Sequence, residues 1–218
     1  MSPSQKLTKA DIERLLSNRF SQDRCTKLAH IPAPGKLKDI TKAAQRIKAA
    51  IQKGEKIAVV GDYDADGVIS SVIITEFFED IGVDVTLKIP NRFTDGYGIS
   101  PAIVETLDAD VIITVDNGIS AYAAGELCKE RGIDLIITDH HNIPERVPEA
   151  YAIVDPKQEA CPFPNNEICG AQVAWYLCAA IKEEMGLAYN LSKFLDLLAI
   201  AIMADMMELK DMNRAMVK

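Results

Sequence analysis

Five short apolar runs constrain the fold most: residues 57–61, 83–89, 110–115, 134–138 and 152–154, rich in Val and Ile. Segments with helical character lie between the first four, at 67–81, 101–107 and 121–131. Near-continuous apolar runs bounded by turns fit strands buried on both faces. Strand–helix–strand order makes the strands parallel, with right-handed crossovers. The expectation is an α/β fold: a doubly wound, mainly parallel five-stranded sheet flanked by helices.

Ligands of such sheets bind outside the carboxyl ends of the strands. Four runs end in Asp, as VVGDYDAD, IITVDNG, IITDHH and AIVDP. Asp62, Asp64, Asp66, Asp116, Asp139 with His140 and His141, and Asp155 should therefore gather along one edge. A single Asp after a strand is usually a turn former or a helix cap. Four such ends with a double histidine are hard to explain as caps. Like charges at Asp62, Asp64 and Asp66 repel and raise one another's pKa values. Divalent metal held by hard oxygen ligands is the economical offset.

Asp205 belongs to the same inventory. It falls inside the apolar run FLDLLAIAIMADMMEL, read as a helix over 192–207. A buried unpaired carboxylate costs several kcal/mol, so it must be neutral, paired or on a metal. Asp196 sits near that helix's N-terminus, where a carboxylate is favourable anyway. Another helix is expected over 171–185, after the loop CPFPNNEICG.

Residues 1–55 read as an N-terminal helical cover and 56–218 as the metal-binding catalytic domain. The cover contains two amphipathic helices. One spans 9–20, with Thr8 as N-cap and Asp11 three residues on. The other spans 38–52, with Ile40, Ala43, Ile47 and Ile51 on one face and Gly54 closing it. His30 reads as a surface or packing histidine.

Composition excludes several classes. Among 218 residues, 48% are hydrophobic and 26% charged, which is ordinary globular usage. No apolar run reaches the roughly 18 residues of a membrane span. No apolar signal-peptide core opens the chain. A cytoplasmic protein without a membrane partner is expected. Five cysteines without a CxxC pair give neither zinc spacing nor a disulfide framework. A net charge of −8 argues against a broad basic surface for nucleic acid. A carboxylate-bound pair of ions would still attract phosphate. An EF-hand would need Glu at its twelfth position, where Ile73 stands, and a helix before the loop. A dinucleotide site would need a glycine-rich first turn in place of this acidic one. A phosphoaspartate receiver shares the sheet but not the paired histidine. Carboxylates with histidine suit two-metal hydrolysis of a phosphate ester, with manganese favoured over calcium and magnesium possible.

Taken in order, GDYDADG, VDNGIS, TDHH and ADMMEL resemble the four motifs of the DHH phosphoesterase superfamily. PNRFTDGYGIS and CGAQVAWYL narrow the resemblance to the RecJ single-strand-specific exonucleases, from roughly Arg19 onward. That resemblance implies a 5′→3′ exonuclease on single-stranded DNA, dependent on two divalent ions, Mn²⁺ more than Mg²⁺. It implies release of 5′-mononucleotides in DNA repair and recombination. Carried over by motif, Asp64, Asp66, Asp116, His140 and Asp205 bind metal, with Asp116 as the bridge. Asp62 and His141 join Asp116 as catalytic groups, His141 facing the scissile phosphate. Asp139 orients the histidines, and Arg92, Asn117 and His141 contact substrate. Tyr97 is expected to pack within its loop. Single-stranded DNA is the implied partner, with a single-strand-binding protein or a helicase as further candidates. RecJ proteins continue into a second domain and usually an oligonucleotide-binding domain, which are expected to supply much of the grip on the strand. Two other readings stand beside this one. One is a DHH phosphoesterase on oligonucleotides, cyclic dinucleotides or pyrophosphate. The other is a non-catalytic domain that binds single strands or replication partners.

Overall fold

The structure, a computed structural model, describes residues 6–218. Strands β1 (Ile57–Val60), β2 (Val85–Lys88), β3 (Val111–Val115), β4 (Asp134–Thr138) and β5 (Ala152–Val154) form one sheet. Its order is β2-β1-β3-β4-β5 and every pairing is parallel. The helices are α1 (Lys9–Arg19), α2 (Ile40–Lys53), α3 (Ala65–Asp80), α4 (Pro101–Thr106), α5 (Tyr122–Arg131), α6 (Gly170–Met185), α7 (Leu195–Ala204) and α8 (Asp211–Val217). The expected doubly wound sheet is therefore present.

Two separate cores flank the sheet, because successive strand residues face opposite sides. Val59, Val111, Ile113, Val115, Ile136 and Val154 pack with α2, α3, α6, α7 and α8. Val60, Ile112, Leu135, Ile137 and Ile153 pack with α4 and α5. The chain leaves β1 for β2 on one side and returns across β1 to β3 on the other. That reversal opens a crevice between the carboxyl ends of β1 and β3.

The two N-terminal helices differ in burial. Thr8 and Asp11 form the expected capping box, with Asp11 N–H donating to Thr8 Oγ1 at 3.2 Å and Thr8 N–H to Asp11 Oδ2 at 3.0 Å. Yet α1 buries no residue, and Ile12, Leu15 and Leu16 stay exposed. Helix α2 instead buries Ile40, Ala43, Ala44, Ile47 and Ala50 against α6 and β5. Gly54 closes it in the left-handed region at φ 68°.

The C-terminal part departs from expectation. The run read as one helix over 192–207 begins as a short 3-10 turn, Leu191–Phe194, and α7 stops at Ala204. Asp205 is thus the C-cap of α7, not an interior residue. Helix α8 has no expected counterpart. Seven residues are too few to hold a helix by propensity. Burial of Met212, Ala215 and Met216 beside α7 supplies what the local sequence lacks.

Helix α3 carries the first acidic cluster, so its anchoring matters. Phe77 is fully buried, with its ring edge-on to Phe78 at 5.8 Å and to Tyr189 at 5.1 Å. Phe77→Ala is expected to lower unfolding free energy by about 3–5 kcal/mol in urea titration. A loss below about 1 kcal/mol would show that α3 is held elsewhere.

Candidate metal centre

The crevice collects acidic residues from four places in the chain. Asp62 follows β1 and is 2% exposed. Asp64 caps α3, its Oδ1 accepting Gly67 N–H at 2.9 Å. Asp66 lies in the first turn of α3 and is buried. Asp116 follows β3 and is 1% exposed. Asp139 and His140 follow β4, both buried, whereas the His141 side chain is 47% exposed. Asp205 arrives from the end of α7, its side chain 28% exposed. A carboxylate at a helix C-terminus faces the negative end of the dipole, so only a positive partner makes that place favourable.

Three groupings have ligand atoms within 4.8 Å of one another: Asp62, Asp64 and Asp116; Asp66, His140 and Asp205; and Asp116, His140 and His141. Asp116 and His140 are each shared by two groupings. His140 Nε2 lies 3.1 Å from Asp116 Oδ1 and 3.7 Å from both Asp66 Oδ2 and Asp205 Oδ2. Among the described residues, Asp62 Oδ1, Asp116 Oδ1 and Asp205 Oδ2 are buried without a hydrogen-bond partner. Orphaned carboxylate oxygens converging on an imidazole nitrogen are a donor set suited to a divalent ion. The residues present therefore fit metal.

Electrostatics agree. Burial first, then the charges of Asp66 and Asp64, push the Asp116 carboxyl well above its usual range. Asp62, Asp66 and Asp205 are raised too, burial being the largest cause in each. Asp155 behaves alike, burial lifting it to about 7. Burial works against Asp139 as well. The hydrogen bond and charge of His141, with the N–H groups of Ile119 and His141, outweigh it and hold Asp139 below the ordinary value. The same Asp139 contact raises His141.

Asp139 divides its attention unevenly between the histidines. Its Oδ1 pairs with His141 Nδ1 at 2.7 Å and accepts the backbone N–H of His140 and His141. Its Oδ2 accepts Ile119 N–H at 2.9 Å. It therefore orients the His141 ring but not the His140 ring, whose Nδ1 has no partner.

The expected substrate contacts separate. Arg92 is exposed, with its guanidinium 5.5 Å from the Tyr63 ring centre. Tyr63 meets Tyr97 edge-on at 6.4 Å, and Tyr97 meets His141 at 6.1 Å. Tyr97 also donates its hydroxyl to Asp116 O at 3.3 Å, so it is tied to the site as well as to its loop. Asn117 lies elsewhere. It is fully buried, with Nδ2 donating to Val60 O and Val115 O while Oδ1 accepts Ile99 N–H. That bracing across β1 and β3 leaves Asn117 closed to a substrate.

The N-terminus of α6 was not among the expected parts of the site. Gly170 and Ala171 N–H donate to the two Asp66 oxygens at 2.6 and 2.9 Å. The positive end of the helix dipole thus helps to hold a buried carboxylate. Gly170 is needed for the approach: a β-carbon there would sit 2.6 Å from Cβ and Cγ of Asp116. Asp116 itself adopts φ 62°, an uncommon left-handed conformation for a residue with a side chain. The only sequence signal for this contact was the glycine opening an apolar helical stretch, which is weak.

Two outcomes follow from this geometry. Gly170→Ala should displace Asp116, weakening Mn²⁺ binding in calorimetry and lowering stability by about 1–3 kcal/mol. Wild-type affinity in that variant would show that α6 does not shape the site. The second concerns pH. The raised carboxyls and His141 keep protons in the folded state that the unfolded chain releases. Their contribution is present at low pH and lost as pH rises through the folded values, for Asp155 near 7. Asp139, lowered, changes only at more acid pH. Metal-free protein should thus lose stability from about pH 5 to about pH 8, by up to about 1.4 kcal/mol per pH unit for each proton released. Saturating Mn²⁺ should remove that decline, and its affinity should rise with pH. Metal-free stability that climbs over this range would contradict the site's electrostatics.

Comparison with known proteins gives a consistent picture. Residues 56–202 match the family model described as DHH family, N-terminal domain. The chain is 40% identical over 192 residues to the single-stranded-DNA-specific exonuclease RecJ of Bacillus subtilis, covering 87% of this chain and 24% of that protein. It is 38% identical over 192 residues to the Escherichia coli counterpart, covering 82% and 33%. A crystal structure of exonuclease RecJ bound to manganese superposes with a TM-score of 0.76 at 35% identity, covering 83% of this chain and 46% of that one. The RecJ of Thermus thermophilus in complex with Mn²⁺ gives 0.70 at 33% identity, covering 83% and 26%. The chain thus spans about a quarter to a third of the length of these curated relatives.

Proposed function

Because the chain belongs to the DHH family, we propose that it is the metal-binding part of a RecJ-type exonuclease that hydrolyses single-stranded DNA from its 5′ end. The observation that carries this reading is Asp116, a buried carboxylate in a strained conformation, shared between groupings and left with an orphaned oxygen. A carboxylate placed so is suited to bridge two cations.

Asp62, Asp64 and Asp116 would hold one ion, and Asp66, Asp116, His140 and Asp205 the other. Imidazole beside carboxylates favours Mn²⁺ over Mg²⁺. Ions held there would supply Lewis-acid polarisation of the phosphodiester and ease deprotonation of the attacking water. The chain's own groups do the rest. Asp139 fixes the His141 ring by Nδ1 and favours its protonated form, leaving Nε2 for substrate. From there His141 can donate to a phosphate oxygen and offset its developing charge. Arg92, steadied over Tyr63, is placed to pair with a further phosphate. Exposed Phe93 and Tyr97 offer faces on which an unpaired base can stack.

In this reading residues 56–218 are the metal-binding unit, and of the N-terminal region α2 covers its sheet. The protein works in the cytoplasm in DNA repair and recombination, with a single-strand-binding protein or a helicase as partners. Further domains would supply additional grip on the strand.

The test is digestion of 5′- and 3′-labelled single strands with Mn²⁺. Release of 5′-mononucleotides from the 5′ end is expected. Asp116→Ala should abolish both digestion and metal binding. His141→Ala should keep metal and lose about 10²–10³-fold in kcat. Turnover confined to dinucleotides would favour a small-substrate phosphoesterase, and strand binding without hydrolysis a non-catalytic module. Either result would overturn the proposal.

A further inference from the structure

Asp155 follows β5 and is completely buried, yet no role above uses it. Its Oδ1 accepts Lys157 N–H at 2.8 Å. Its Oδ2 is buried without a partner. The His140 ring poses a matching problem. Nε2 faces three carboxylates, whereas Nδ1 is buried and unpartnered. Asp139 cannot serve it, because both Asp139 oxygens are engaged with Ile119, His140 N–H and His141.

Register brings the two residues to the same edge of the sheet. Strands β4 and β5 pair from Ile136↔Ala152 to Thr138↔Val154. The ladder continues, Asp139 N–H donating to Val154 O at 3.1 Å. Asp155 therefore lies beside Asp139 and next to the step to His140. An imidazole that ligates metal through Nε2 must carry its proton on Nδ1, and that proton normally goes to a carboxylate or carbonyl.

We infer that Asp155 is the positioning residue of His140: its Oδ2 holds the Nδ1–H through one buried water and fixes the tautomer that offers Nε2 to metal. This inference rests on the metal-binding reading above. A water between two buried polar groups is an ordinary structural element, and the direct hydrogen bond is absent. The geometry also gives the AIVDP turn a function beyond chain reversal.

The test combines ¹⁵N-histidine NMR with Mn²⁺ titration followed by electron paramagnetic resonance. Wild-type His140 should carry its proton on Nδ1, protected from fast solvent exchange, both metal-free and with diamagnetic Mg²⁺. Asp155→Asn keeps the size and the Oδ1 bond to Lys157 but puts an amino group where Oδ2 stood. It should move the proton to Nε2 and weaken Mn²⁺ about 10–100-fold, with unchanged circular dichroism. A wild-type Nε2–H tautomer overturns the inference, and so does a variant with the wild-type tautomer and affinity within about 2-fold. If the variant fails to fold, the wild-type ring state alone decides. Wild type that shows the protected Nδ1–H but binds no Mn²⁺ supports this pairing and overturns the proposed function, so the two failures are distinguishable.

Discussion

Negative charge without enough positive charge is the condition around which this fold is arranged. Asp62, Asp66, Asp116 and Asp139 are all buried at one edge of the sheet. Each buried ion costs several kcal/mol unless paired and hydrogen-bonded. The protein meets part of that cost with backbone donors. Asp64 takes the N-terminus of α3, Asp66 that of α6, and Asp139 the N–H of Ile119. What remains unmatched is concentrated on Asp116 and its neighbours, and it is there that cations are called for.

The rest of the architecture serves that concentration. Parallel pairing aligns the carboxyl ends of β1, β3 and β4, and the reversal between β1 and β3 sends the connections that follow them to opposite faces, leaving a crevice for side chains. Asn117 ties β1 to β3 beneath the site through Val60 O and Val115 O. Gly170 lets a long buried helix approach Asp116 closely. The two histidines are treated differently: His140 is buried among carboxylates, while His141 is half-exposed and held by Asp139. In the proposed function the first ligates metal and the second meets substrate.

Much of this was legible in the chain because it depends on local pattern. The five strands came from continuous Val and Ile runs, and the Asp at four strand ends followed from reading to where those runs stop. The capping box at Thr8 and the close at Gly54 are equally local. Helix α8 and the end of α7 were not legible, because burial beside a distant element decides whether seven residues are helical. The same limit applies to α1, whose apolar stripe the sequence displays but the described residues leave uncovered. Asn117 shows the limit within the site: a motif residue beside a candidate ligand proves to be a brace.

The sequence by itself determined the sheet, its parallel sense and the set of acidic and histidine residues at its edge, since strand period and strand-end chemistry are properties of neighbours along the chain. Only the tertiary structure decided how that set divides. Asp62 joins Asp64 and Asp116, Asp66 joins His140 and Asp205, and Asp139 turns to His141. It also placed Asp205 at a helix end and brought the α6 N-terminus onto Asp66. These outcomes rest on contacts between residues far apart in the chain, such as the 105 positions from Ala171 to Asp66. Register and helix packing fix such contacts, and no local pattern encodes them.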